Sequence, residues 1–271
     1  MGTGIARLHA ARGGGSVNEE AHPAGPLTLA IDVGGTRLKA SVLAATGRMI
    51  EDPDRIDTPH PSKPSVVVDA LMEVIRPLGR FDRISIGFPG VVRRGRVLTA
   101  PNLGTEDWHG FALAEVLSQK LGKPARMMND ATVQGLGVIV GRGLECVITL
   151  GTGMGFALFD RGFPAPHLEL SQHPVHDGLT YDQWIGNAAL QKVGAKTWNK
   201  RVRKAIGHIE TLTNYDTLAI GGGNAKRIDF DLPPKVRTVS NDAGITGGIR
   251  LWDPLLDPMF VADDAMALRD T

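Results

Sequence analysis

Two stretches of the chain share one pattern, and that pattern limits the folds available to it. "LAIDVGGTRLKASVLAATG" begins at Leu29 and "CVITLGTGMGFALFDRG" begins at Cys146. Each reads as an apolar strand, a Gly/Thr turn, a second strand and a Gly turn, although few residues are identical. A short, continuous apolar run closed by glycines is the signature of a buried strand entering a tight turn. Two such openings about half a chain apart predict two α/β halves facing each other across a cleft.

The remaining patterns fit that division. Ser65 to Leu78 carries Val67, Leu71, Val74, Ile75 and Leu78 at helical spacing. Arg83 to Phe88 is a buried strand closed by Pro89-Gly90, and Arg93-Arg94-Gly95-Arg96 marks a hairpin tip. Phe111 to Leu121 is a helix stopped by Gly122 and Pro124. Ala125 to Met128 is a strand running into Asn129-Asp130, with a helix from Ala131 to Val140. In the second half, Thr180 to Asn214 reads as one long helical stretch with weak points at Gly186, Gly194 and Gly207. Thr217 to Ile220 is a strand ending in Gly221-Gly222-Gly223-Asn224, and Ala243 to Trp252 is a last helix. The expected organisation is an extension over residues 1–26, a small α/β domain over 27–125, a large one over 126–252, and a tail over 253–271.

Composition excludes several classes. Formal net charge is +1, so no basic field argues for nucleic acid. No apolar run approaches the ~20 residues of a membrane span, and residues 1–26 lack the apolar core of a signal peptide. Cys146 is the only cysteine, which rules out an intramolecular disulfide and points to a reducing, cytoplasmic setting. Glycine is over-represented, at 34 residues against a usual share of about 7%.

Those glycines carry the chemistry. In Asp32-Val33-Gly34-Gly35-Thr36-Arg37-Leu38-Lys39, the glycines let backbone N–H groups approach a phosphate, and Thr36 and Lys39 offer a hydroxyl and a cation. Asp32 would repel a bare phosphate, and suits a phosphate-bound Mg²⁺ held directly or through water. Gly151-Thr152-Gly153 is the matching turn of the second half, and Gly221-Gly222-Gly223 is a third glycine run. Neither is a P-loop, and Phe156 and Lys226 stand where a dinucleotide fingerprint needs its last glycine. Asn129-Asp130 lies at the carboxyl end of a strand, where α/β sheets bind ligands. Asp130 there suits a general base, although an Asp at that position also suits a helix cap.

Taken in order, Asp32–Lys39, Gly87-Phe88-Pro89-Gly90, Pro101-Asn102, Asn129-Asp130, Gly151–Gly153 and Gly221–Gly223 resemble the ROK family of sugar kinases. The resemblance is closest to the polyphosphate glucokinases, through "APNLGTEDWHG", "MNDATVQGLG", "TLGTGMGFALF", "HLEL" and "SNDAGITGGI". It implies a two-domain actin-like ATPase (ribonuclease H-like) α/β fold with its site in the interdomain cleft. It also implies phosphoryl transfer from ATP or polyphosphate to a hexose, glucose at the 6-hydroxyl foremost, and a homodimer. Asp130 would be the base; Gly90, Asn102, Asn129, His167 and Glu169 would face the sugar. Asp32, Gly34, Gly35, Thr36, Lys39, Gly151, Thr152 and Gly153 would face the donor and Mg²⁺, and Gly222 and Gly223 the adenosine when ATP is the donor.

Two departures stand out. The family's E-x-G-H sugar motif falls on Pro164-Ala165-Pro166-His167, so Pro164 stands in place of a carboxylate; by the resemblance, Glu169 matches a second acidic position of the polyphosphate glucokinases and would compensate in part. The Cys-rich zinc site of many ROK proteins cannot form around a single cysteine. The first departure motivates two rivals, a sugar sensor that transfers nothing and a kinase for mannose, an amino sugar or a polyol. Lys192, Lys196, Lys200 and Arg203, flanked by Arg201 and Lys204, would form a basic helical stripe suited to a long polyanion, or simply a solvated face.

Overall fold

The computed structural model describes residues 25–240 and 242–260. The extension expected over residues 1–26 and the end of the expected tail lie almost wholly outside these.

Two five-stranded sheets share one plan. In the first, β1 (Thr28–Val33), β2 (Arg37–Leu43) and β3 (Asp54–Asp57) form an antiparallel meander. After α1 (Pro64–Ile75), β4 (Arg83–Phe88) pairs parallel to β1. A small hairpin follows, β5 (Val92–Arg93) with β6 (Arg96–Val97), then α2 (Thr105–Trp108) and α3 (Leu113–Leu121). β7 (Ala125–Asn129) then pairs parallel to β4, giving the order β3-β2-β1-β4-β7. The bridging helix α4 (Asp130–Leu136) leads to the second sheet.

There, β8 (Leu144–Leu150), β9 (Met154–Asp160) and β10 (Phe163–Pro164) repeat the meander. A minor hairpin, β11 (Pro174–His176) with β12 (Leu179–Thr180), precedes helices α5 (Tyr181–Ile185) and α6 (Asn187–Thr213). β13 (Thr217–Gly221) and β14 (Val236–Thr238) then add in parallel, giving β10-β9-β8-β13-β14. The order is the same in both lobes, so the weak sequence repeat reflects a duplicated topology. α7 (Ala243–Thr246) closes the chain with two 3₁₀ segments, Gly247–Trp252 and Pro254–Met259.

Burial explains the strand sequences. β1 and β8 are apolar almost without alternation because both faces of each sheet are covered. In the first lobe, α1 and α3 pack Val67, Leu71, Val74 and Leu117 on one face around Phe88 and Trp108. In the second, α5 and α6 do so with Trp184, Trp198, Val202 and Ile206. A third core lies between the lobes. It joins Ala131, Val133 and Leu136 of α4 to Val147, Phe159 and Ala219 of the second sheet and to Leu251 and Leu256. Helix α4 therefore packs against both sheets.

Several elements differ from the sequence-based expectation. The division expected between residues 125 and 126 falls at the start of β7, a strand of the first sheet that runs to Asn129. α4 stops at Leu136, before the expected Val140, with Gly137 in contact with the Gly247 backbone. The expected final helix is helical only to Thr246 and then tightens to 3₁₀, with Gly248 against Ala30 and Ser85. The long helix breaks at Gly186 and again at Gly194, whose φ of 74° is not helical. That second break takes Lys192 off the helical face of Lys196, Lys200 and Arg203, so the basic stripe is not continuous. Arg203 stacks over Phe230 and Arg201 over Trp184.

One side chain makes several of the contacts that hold the C-terminal segment. Arg126 of β7 donates to the Leu251 carbonyl at 2.7 Å, pairs with Asp257 at 2.8 Å and lies between the rings of Trp252 and Phe260. Arg126→Met keeps the aliphatic bulk and removes these interactions. It should cost about 2 kcal/mol, or roughly 4–8 °C in Tm. Thermal denaturation, with limited proteolysis reporting cleavage near residue 253, checks this.

Candidate active site

The carboxyl ends of β1, β4, β7, β8 and β13 converge on one cleft of about 250 Å³ between the lobes. It is lined by Asp32, Gly34, Gly35 and Lys39; by Gly90, Asn102, Asn129 and Asp130; by Gly151, Thr152 and Gly153; by His167 and Glu169; and by Gly222 and Gly223. All the expected site residues therefore meet there except Thr36. Thr36 is exposed at the rim, with its hydroxyl 3.2 Å from that of Thr152 in the opposite lobe. Gln134, Thr149, Ser171, Asp182 and Gly244 also line the cleft and were not singled out from sequence.

The first turn is built around an ion pair. Lys39 Nζ lies 2.8 Å from Asp32 Oδ2, both partly buried. The pair sits on adjacent antiparallel strands, where Asp32 and Lys39 are register partners. The Gly34 N–H closes the turn on the Arg37 carbonyl at 3.0 Å. Gly35 is required because a Cβ there would meet Asn102 Cβ at 2.8 Å.

The second turn leaves two backbone donors without partners. The Gly151 N–H donates to the Gly153 carbonyl at 3.0 Å. The Asn187 N–H, at the start of α6, donates to the carbonyls of Gly151 at 2.9 Å and Thr152 at 3.1 Å. The Met154 N–H donates to Asp182 Oδ1 at 2.6 Å. Among the described residues, the N–H groups of Thr152 and Gly153 have no acceptor. Successive backbone N–H groups in a turn can make an anion-binding concavity, and these two stand unpaired in a turn that lines the cleft. The third glycine run abuts this turn: the Asn224 N–H donates to the Leu150 carbonyl at 2.8 Å and its side chain to the Gly151 carbonyl at 3.3 Å.

Between the turns lies the head of α4. Sequence left the capping role open, and the structure gives it to Asn129, whose Oδ1 accepts from the Thr132 N–H at 3.1 Å. Asn129 Nδ2 also donates to the Gly90 carbonyl at 3.1 Å, tying β7 to the Pro89-Gly90 turn. Asp130 is thereby released from capping another residue. Its carboxylate accepts from the adjacent Ala131 N–H at 2.8 Å and, among the described residues, no side chain donates to it. Burial, and then the negative charges of Asp32 and Glu169, push its pKa up to about 7.

On the remaining wall, Ser171 Oγ donates to Glu169 Oε1 at 2.5 Å and Thr99 Oγ1 to Oε2 at 3.4 Å. Burial alone would raise the Glu169 pKa, but the His167 imidazole and the Ser171 hydroxyl outweigh it and hold it below the ordinary value. His167 is 7% exposed, lies 3.8 Å from Glu169 and has no hydrogen-bond partner on either ring nitrogen. Pro164 is buried in β10 and does not line the cleft. Among the described residues, no group of three or more His, Cys, Asp and Glu side chains is placed to hold a metal, and no helix is long and apolar enough to cross a membrane.

Two duplicated lobes, two facing glycine turns and a carboxylate at the head of the bridging helix describe an actin-like phosphotransferase. Known proteins similar to this chain agree. The ROK family model matches residues 28–162. Polyphosphate glucokinase of Mycobacterium leprae is 30% identical over 236 residues, spanning 80% of this chain and 72% of its own length. The crystal structure of inorganic polyphosphate/ATP-glucomannokinase from Arthrobacter sp. strain KM superposes with a TM-score of 0.76 at 27% identity, covering 83% of this chain and 97% of that one. A ROK family glucokinase from Streptomyces griseus, solved with glucose and AMPPNP, shares the fold at a TM-score of 0.65 and 19% identity, over 83% and 98% of the two chains. The chain belongs to the ROK family.

Asn129→Ala removes both the helix cap and the tie to Gly90. It should lower stability by about 2 kcal/mol, about half from each. Urea denaturation read by far-UV circular dichroism measures this directly.

Proposed function

We propose that this protein is a hexokinase-type phosphotransferase that moves a phosphoryl group from ATP or polyphosphate to a hexose, with glucose as the leading acceptor. The observation that carries this reading is the position of Asp130. It is an uncommitted carboxylate, held near neutrality, between one anion-binding turn and the wall formed by His167 and Glu169.

In this reading the sugar lies against His167, Glu169, Asn102 and Gly90, with His167 supplying unused ring nitrogens to its hydroxyls. The donor lies across the two glycine turns. The free N–H groups of Thr152 and Gly153 donate to its phosphoryl oxygens. Gly222 and Gly223 flank the adenosine when ATP is used. Asp130 takes the proton from the attacking hydroxyl, the sugar oxygen bonds to the terminal phosphorus, and the bond to the leaving phosphate breaks. Positioning and charge neutralisation carry most of such a transfer, and the base adds roughly 10²–10⁴-fold.

Mg²⁺ fits the first turn. It needs only one or two carboxylates besides water and phosphate oxygens, and Asp32 is a cleft-facing carboxylate with one oxygen left free by Lys39. Bound there, the ion would neutralise charge on the donor. The single cysteine is buried, and a chain with one cysteine can form no internal disulfide, which suits a reducing cytoplasm. The polyphosphate-using relatives support polyphosphate as one donor. The name of the Arthrobacter enzyme makes mannose the second acceptor to test.

Purified protein with Mg²⁺ should phosphorylate glucose or mannose, using ATP, polyphosphate or both. Transfer to no hexose, with sugar still raising Tm, would indicate a sensor. Asp130→Asn should lower kcat by at least 100-fold while the sugar Kd stays within a few-fold. Because the carboxylate must be ionised to act, the kcat/KM of the native protein should fall as pH drops through about 7. A pH profile flat from 6 to 8, or a fully active Asp130→Asn variant, would remove Asp130 from the role of base.

A further inference from the structure

Asp182 is the cleft carboxylate to which the proposed reaction gives no task. It lies in the first turn of α5, whose start is fixed by a reciprocal cap between Thr180 and Gln183. Oδ1 accepts the Met154 N–H at 2.6 Å and Oδ2 accepts Gln172 Nε2 at 2.9 Å. The carboxylate presses on the α-carbon of Gly153 so closely that a Cβ there would overlap it. Gly186, four residues on, is equally tight against the Thr152 carbonyl and the Gly153 backbone.

A carboxylate beside an anion-binding turn is electrostatically adverse, so its presence calls for a compensating job. The hydrogen-bond accounting of the turn supplies one. Of the four N–H groups from Gly151 to Met154, Gly151 closes the turn on itself and Met154 is taken by Asp182. That second bond sets the orientation of the Gly153–Met154 peptide, where the turn passes into β9. The α6 N-terminus holds the carbonyls of Gly151 and Thr152 from the other side. Clamped between the two, the turn keeps the N–H groups of Thr152 and Gly153 unpaired. Gln172 also donates to Ser171 Oγ at 3.1 Å, and Ser171 donates to Glu169. The same short network thus anchors both Asp182 and Glu169.

We propose that Asp182 is a positioning residue for phosphoryl-donor binding: it pins the Gly151–Met154 turn so that two backbone N–H groups are presented to the donor's phosphoryl oxygens. This rests on the functional reading above, and it assigns Asp182 to the donor and not to the sugar. It also separates geometry from charge. An asparagine in its place keeps an acceptor for the Met154 N–H and removes the repulsion, so it should preserve or improve donor binding.

The test uses the full chain. Binding of a non-hydrolysable ATP analogue, and separately of inorganic tripolyphosphate, is measured by calorimetry without sugar, alongside donor and sugar KM. Asp182→Ala should weaken anion binding and raise donor KM at least tenfold, with sugar KM within threefold of native. Asp182→Asn should bind donor within threefold of native, or more tightly. If Asp182→Ala fails to fold, Asp182→Glu carries the same expectation of a tenfold loss, because its extra methylene drives into Gly153 while charge is kept. The proposal is overturned if the Ala or Glu variant binds donor within threefold of native, if donor and sugar weaken by one common factor, or if Asn is as poor as Ala. Native protein that transfers phosphate while Asp182→Ala binds donor normally refutes the role of Asp182 alone. Native protein that binds neither anion overturns the functional reading together with it.

Discussion

Carboxylates crowded into one partly buried cleft, with Lys39 the one lysine or arginine lining it among the described residues, are the constraint on which this site depends. Asp32, Asp130, Glu169 and Asp182 all line it, and Lys39 is the lysine that answers them, bonded to Asp32. Each acid is dealt with differently. Asp32 is neutralised by Lys39, Glu169 is held ionised by His167 and Ser171, and Asp182 is given two neutral donors. Asp130 receives nearby backbone N–H groups and the repulsion of its neighbours. Environments that push carboxylates apart in proton affinity are how one fold assigns distinct roles to identical side chains.

The fold makes that arrangement possible by placing one helix between two copies of the same sheet. Helix α4 packs on β4 of the first lobe and on β8 and β9 of the second, and Asp130 is its first residue. Its fit depends on small residues: a Cβ on Gly155 would meet Ala131 at 2.8 Å. Any rotation of one sheet about the other would move the glycine turns relative to the head of α4, so the third hydrophobic core, which glues α4 to both, sets the geometry of the cleft. Closure of such clefts around substrate is a common device for excluding water from phosphoryl transfer. The Thr36–Thr152 contact across the rim shows the lobes already touching at the two glycine turns.

Much of this was legible in the sequence because it is carried by local patterns. Apolar runs ending in glycines located β1, β8 and β13, and the repeat of strand, turn and strand foretold two matching sheets. Asp130 at a strand end was visible, but not that Asn129 would be the cap and leave it free. What escaped depends on contacts distant in sequence or on polar residues in plain settings. Asp182 reads as an ordinary acid in a helical first turn, and its partner Met154 is 28 residues away. Gln134 is buried with its amide nitrogen unpartnered, one turn after Asp130, and nothing nearby in sequence marks it. β3 and β14 are short and too polar to show a strand period. The early end of α4 and the 3₁₀ form of Gly247–Trp252 arise where glycine backbones from the two segments meet. Thr36 belonged to a recognisable motif, yet the turn carries it to the rim.

The central claim is that this cleft holds Asp130 poised between its protonated and ionised forms. The most direct test is titration of the Asp130 carboxyl in the ligand-free protein, by isotope-edited carbon NMR with Asp130→Asn as the assignment control. The account predicts a midpoint near 7, displaced downward when Asp32 is replaced by Asn, since one repelling charge is then removed. A midpoint near the ordinary Asp value of about 3.9, unmoved by that replacement, would contradict it.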